Sequence, residues 1–136
     1  MYKIEQTEIG FKLTFSGTVT KKELEPWFQE SKNALIKCKK PFGVIVDMRN
    51  LELLPPDVQA EIVKGQMLYR NSGLQRSAII LRDPAVTIQF MRLAKKSGIY
   101  NYERFIDASS DAQWEKHAEE WAGFGIDPPG VARPLL

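Results

Sequence analysis

The chain has 136 residues, 43% of them apolar and 26% charged, a composition ordinary for one globular domain with its own core. Its 19 basic and 17 acidic residues leave a formal net charge of +2, which argues against the strongly basic face of a dedicated nucleic-acid binder. The single cysteine, Cys38, excludes an internal disulfide and a thiolate metal cluster within one chain. Charges are spread through Met1-Tyr2-Lys3-Ile4-Glu5, and no stretch approaches the roughly 20 apolar residues needed to span a bilayer. A cytoplasmic protein without signal peptide or membrane span is expected.

The opening alternates in period two. Tyr2 and Ile4 lead to a turn near Glu8-Ile9-Gly10, and Phe11, Leu13 and Phe15 then alternate with Lys12 and Thr14. This predicts a β-hairpin with one buried face, closed by Ser16-Gly17. Thr20-Lys21-Lys22-Glu23 has the spacing of a capping box, in which Thr20 accepts from the backbone of Glu23 and the Glu23 side chain reaches back. Leu24, Trp27, Phe28, Ser31, Leu35 and Cys38 follow at helical spacing, with Pro26 near enough to the start to be tolerated. Lys37, Lys39 and Lys40 load the end at which the helix dipole is negative.

After the break at Pro41-Phe42-Gly43, Val44-Ile45-Val46 is a β-branched run of the kind buried on both faces of an α/β sheet, ending at Asp47. Asp57 opens a second helix through Val58, Ile62, Gly65 and Tyr69, ended by Asn71-Ser72-Gly73. Ser77 to Leu81 is another buried strand. Asp83-Pro84 is an N-cap followed by a first-turn proline, and Val86, Phe90, Leu93 and Ala94 share one face of the helix that stops at Ser97-Gly98. A short strand, Arg104-Phe105-Ile106, precedes a last helix capped by Ser109 or Ser110, with Trp114, Ala118, Trp121 and Ala122 on one stripe. The domain is therefore expected over residues 1–122, followed by a Pro-containing tail at 123–136 that includes Pro128, Pro129 and Pro134.

Strands alternating with helices imply a mixed, largely parallel sheet of about five strands with about four helices. Such sheets place their sites at the strand C-termini. Here that end carries Asp47, Arg49, Asn50, Glu52 and Asp57 around Pro55 and Pro56.

Three stretches resemble the STAS domains, typified by sporulation anti-sigma-factor antagonists, and the related SpoIIAA-like fold. Val44 to Leu54 is similar to the family's central strand and turn, Ala85 to Gly98 to its third helix, and Phe105-Ile106-Asp107 with Ser110 to Trp114 to its final strand and closing helix. The resemblance implies a regulatory binding module with a protein partner. It also implies a phosphate-accepting serine in the turn after the central strand. Leu53-Leu54-Pro55-Pro56-Asp57-Val58 offers no hydroxyl there, so that phosphorylation is not carried over. Tandem prolines stiffen the turn instead, because each fixes φ and Pro56 pushes Pro55 toward extended backbone.

The other reactive residues read as structural. His117 flanks the apolar stripe of the last helix, and Cys38 closes the first helix as a core thiol. The Lys32, Lys37, Lys39 and Lys40 run reads as a solvated helix end. Neither GxGxxG nor GxxxxGK[ST] occurs, and no nucleophile–base pair or metal-ligand spacing stands out. The expectation is a non-catalytic module without cofactor or metal, acting through Asp47, Arg49, Asn50, Glu52, Pro55, Pro56 and Asp57. The alternative is a carrier or sensor of a small apolar ligand held between sheet and helices.

Overall fold

The computed structural model describes residues 1–130. Five strands, β1 (Tyr2–Gln6), β2 (Gly10–Phe15), β3 (Phe42–Asp47), β4 (Leu74–Leu81) and β5 (Glu103–Asp107), form one sheet in sequence order. β1 pairs antiparallel with β2, and all later pairs are parallel. The helices are α1 (Lys21–Lys37), α2 (Pro56–Asn71), α3 (Pro84–Ser97) and α4 (Trp114–Phe124).

Side-chain alternation divides the sheet between two layers. Phe11, Leu13 and Phe15 of β2 and Val44 and Val46 of β3 join the larger core under α1–α3. Ile45, Ala78, Ile80 and Ile106 face the other way and pack on Ala118, Trp121 and Ala122 of α4. Every residue of β3 is buried, as the β-branched run requires. That strand begins at Phe42, two residues before the apolar run marks it. Gly43 fits there because a Cβ would stand 2.3 Å from the Ala122 carbonyl oxygen, where α4 presses on the strand. β4 likewise starts earlier, at Leu74, and β5 gains one residue at each end.

The Thr20 hydroxyl accepts from the Glu23 backbone as its spacing predicts, at 3.2 Å, but the Glu23 carboxylate pairs with the Met1 amine instead. Asp83 caps α3 by accepting from Ala85 at 2.8 Å, and Gly98 ends that helix at φ 83°. Two helix starts differ from expectation. α2 begins at Pro56 with Pro55 at its cap, so Asp57 lies inside the first turn and its carboxylate accepts from the adjacent Val58 N–H. α4 begins at Trp114 rather than after Ser109 or Ser110. Asp107 and Asp111 accept from the Ser109 and Gln113 backbones and hold the intervening residues in turns.

α4 runs past the expected boundary at residue 122 to Phe124, with Gly125 at φ 72° ending it. Asp127 then pairs with Arg104 of β5 at 2.7 Å, tying this part of the tail to the sheet. Pro134 lies outside the described residues. Among those described, no helix is long and apolar enough to cross a membrane.

Candidate functional site

The parallel order sends each strand's C-terminal end into the turn before the next helix, and the turn after β3 is the most elaborately held. Asp47, the last residue of β3, falls on the α4 side and is 7% exposed. The Arg49 guanidinium grips it as a fork, Nε to Oδ1 at 3.0 Å and Nη2 to Oδ2 at 2.9 Å, and the Arg49 N–H adds a third bond at 3.1 Å. The same guanidinium lies 4.1 Å from the ring centre of Trp114, at the start of α4. Burial by itself raises the Asp47 carboxyl, but the Arg49 hydrogen bonds and charge outweigh it and hold the group below its ordinary range.

Beyond Arg49 the chain is fastened by Gly17, Thr18, Arg82 and Gln89. Leu51 bridges to Gly17, whose N–H donates to the Asn50 carbonyl at 2.8 Å and whose carbonyl accepts from Glu52 N at 3.1 Å. The Thr18 hydroxyl donates to the Glu52 carboxylate at 2.5 Å, and Arg82 Nη1 reaches the Asn50 side chain at 3.4 Å. Gln89 of α3, only 8% exposed, clamps the Leu54 backbone from both sides. Its Oε1 accepts from Leu54 N at 2.9 Å and its Nε2 donates to Leu54 O at 3.0 Å.

This framework leaves Leu53 56% exposed between two buried leucines, Leu51 and Leu54. Asn50, Glu52, Pro55, Pro56 and Asp57 are exposed beside it. The structure thus joins Asp47 to Arg49 directly, gives Asn50 and Glu52 separate partners, and sets Asp57 apart on α2.

Thr18, Arg82, Gln89 and Trp114 complete the site and escaped the sequence reading. Only Gln89 left a signal: it is a polar residue on the apolar face shared by Val86, Phe90 and Leu93. Chemically, the Asp47 carboxylate is a weak base while gripped by a guanidinium, and no hydroxyl or thiol stands in the turn.

Two further polar clusters lie elsewhere. His117 Nδ1 meets Asp111 Oδ2 at 2.5 Å, so His117 has a specific partner as well as its place beside the stripe. The pair borders an open groove of about 610 Å³ along the outer side of β5. Cys38 is half-buried, its thiol donating to the Leu35 carbonyl at 3.3 Å with Lys40 Nζ 3.7 Å from the sulfur. Lys40 itself donates to that carbonyl at 2.7 Å, a basic end completing a helix terminus.

A small cavity of about 50 Å³ lies between the sheet and α1–α3, with Trp27, Val46, Met48, Gly65, Gln66 and Glu103 among its walls. Trp27 Nε1 and Gln66 Oε1 are buried without hydrogen-bond partners. Glu103 is 4% exposed, and burial pushes its carboxyl up to about 8 against the opposing hydrogen bond from Ser77.

One solved structure with the same architecture is an uncharacterised DUF3478-family protein with a SpoIIAA-like fold from Shewanella loihica PV-4. It is 20% identical, with a TM-score of 0.63, over 90% of this chain and 92% of that one. The chain has a SpoIIAA-like fold. At that identity the likeness concerns architecture alone, and it agrees with the order of elements from β1 to α4. No family model and no curated protein matches the sequence.

Proposed function

We propose that this SpoIIAA-like domain is a non-catalytic regulatory module of the cytoplasm that binds a protein partner through the turn after β3. Serine phosphorylation at the family position has no part in it. The observation that carries this reading is the contrast within the turn. Its backbone is fastened by Gln89 and Gly17, while Leu53, Glu52, Pro55, Pro56 and Asp57 face solvent. A preorganised surface loses little conformational entropy on association, and an exposed leucine flanked by carboxylates supplies an apolar anchor with charged surroundings.

The test replaces exposed residues only. Tagged wild type and the triple variant Glu52→Lys, Leu53→Asp, Asp57→Lys are used to recover partners from the native host. Affinity for the recovered protein is then measured directly. A loss of at least tenfold with unchanged circular dichroism is expected. Equal affinities would place the binding surface elsewhere.

A second reading, a carrier or sensor of a small apolar ligand, is favoured by the cavity under α1–α3. Its walls are almost wholly apolar, and among them is Trp27, whose N–H is buried without a hydrogen-bond partner. Leaving such a donor unpaired costs roughly 1–3 kcal/mol, a cost that a bound oxygen atom would relieve.

A further inference from the structure

Helix α4 lies over β3, β4 and β5, and the turn of the β1–β2 hairpin meets it at Gly123, where a Cβ would stand 3.1 Å from Ile9. Between that contact and Trp114, at the other end of the helix, an open groove of about 360 Å³ separates α4 from β2. Ile45 and Ile80 form its floor, and Trp114 and Phe124 stand on its α4 side. Phe124 is 76% exposed, more than any other large apolar side chain among the described residues.

The rim is acidic. Glu8 on the hairpin turn and Glu115 and Glu119, one helical turn apart on α4, border the groove and are exposed. Among the described residues none of the three has an ion pair. Glu115 acts on Arg49, but that guanidinium is already gripped by Asp47. Lys12, which lines the groove beside Ile45, directs its charge at Asp47.

We propose that this groove receives a cationic amphipathic helix of a protein partner, laid along α4 with its apolar stripe on Ile45, Trp114 and Phe124 and its lysines or arginines toward Glu8, Glu115 and Glu119. The surface lies outside the turn after β3, and the proposal holds whether or not that turn binds.

Backbone chemistry selects a helix. β2 and β3 are interior strands, each paired on both sides, and α4 bonds within itself. An extended peptide would find no ladder partner in the groove and would leave its own polar groups unpaired, whereas a helix pairs its own. Size agrees: the 11 residues of α4 run about 16 Å, the length of a three-turn partner segment. Small molecules are normally enclosed over most of their surface, but here the rim and Phe124 stand in solvent.

Charge selects the sign. Basic residues at i and i+4 of a partner helix repeat at the same ~6 Å interval as Glu115 and Glu119. A second copy docking through its own α4 would bring Glu115, Glu119 and Glu120 against these carboxylates. An anionic membrane surface would be repelled by them too.

The experiment titrates the isotope-labelled full chain with three synthetic peptides at physiological salt. One has leucines at i, i+3, i+4 and i+7 spacing with lysines elsewhere, one is the same composition scrambled, and one is striped with glutamates for lysines. The striped lysine peptide is expected to bind saturably and to shift the amide signals of α4, Ile9 and Lys12. The other two should bind at least tenfold more weakly. Phe124→Ala and the double variant Glu115→Lys, Glu119→Lys change exposed residues only, so circular dichroism should not alter, yet each should lose at least fivefold in affinity. The turn variant Glu52→Lys, Leu53→Asp, Asp57→Lys should bind as wild type does. Absence of saturable binding, equal binding of the scrambled peptide, or wild-type affinity in Phe124→Ala overturns the proposal. Loss of binding in the turn variant would move the site to that turn. Sedimentation with phosphatidylglycerol vesicles that Phe124→Ala abolishes would give the face to a membrane instead, and a dimer that Phe124→Ala dissociates would give it to a second copy.

Discussion

Two acidic side chains show how differently this fold treats a carboxyl group. Asp47 is buried but gripped by Arg49, so its carboxyl is held below the ordinary range. Such a group contributes stability above its unfolded pKa, and that contribution is lost as pH falls through the folded value. Glu103 is buried without a cation, and its carboxyl rises to about 8. Between its ordinary value and about 8 the unfolded chain has lost this proton while the folded chain keeps it. Stability must therefore decline as pH rises across that window and level off above it. Chemical denaturation at a series of pH values is expected to show this decline in wild type and a flatter profile in Glu103→Gln; identical slopes would contradict the buried neutral carboxyl. The two residues also differed in legibility. Asp47 ends a conspicuous β-branched run, which marks a strand terminus. Glu103 precedes the expected strand Arg104–Ile106, and period-two reasoning gives no reason to extend a strand backward onto a charge.

At the scale of elements, helix α3 serves the turn after β3 through one residue. Gln89 stands in for a neighbouring strand, offering Leu54 an acceptor and a donor from the same amide. Replacing it by leucine keeps most of the volume and strands the Leu54 N–H, although Gln59 Nε2 still reaches the Leu54 carbonyl at 2.8 Å. Gln89→Leu is expected to lose roughly 1–3 kcal/mol in urea unfolding. Leu54 amide exchange should rise by more than that of β3, and unchanged protection at Leu54 would refute the clamp. Element identities were legible because caps and punctuation are local: Thr20, Asp83 and Gly98 act within a few residues of themselves. The start of α4 was not. Ser109 and Ser110 have the right side chains for a cap, but Asp107 and Asp111 compete for the same backbone N–H groups and keep residues 108–113 in turns. The clamp was equally illegible, since the pairing of Gln89 with Leu54 spans 35 residues.

For the whole molecule, the asymmetry of the layers governs where the fold is vulnerable. Three helices share the face that contains the cavity, whereas α4 alone packs on the other face of β3, β4 and β5. That single helix is joined to the sheet by Trp121, 7% exposed, whose Nε1 donates to the Ser77 carbonyl at 3.0 Å and whose ring lies 3.9 Å from the Arg104 guanidinium. Ser77 also hydrogen-bonds Glu103 with its side chain, so one residue of β4 links the α4 layer to the cavity on the other side. Trp121→Ala therefore removes a large buried ring, the partner of a buried carbonyl and the support of Arg104 together. It is expected to cost about 3–5 kcal/mol. The loss should appear as a fall of the whole cooperative transition rather than as fraying of α4, because α4 supplies the main cover of Ile45, Ala78 and Ile80 on that face, with only Ile9 and Ala108 beside it among the described residues. Trp121→Phe keeps most of the apolar area and loses chiefly the bond to Ser77, which limits the expected loss to about 1 kcal/mol. Circular dichroism and tryptophan fluorescence should then report one midpoint for both variants. If α4 melts separately while the sheet and α1–α3 keep the wild-type midpoint, the two faces are energetically independent and Ser77 does not couple them.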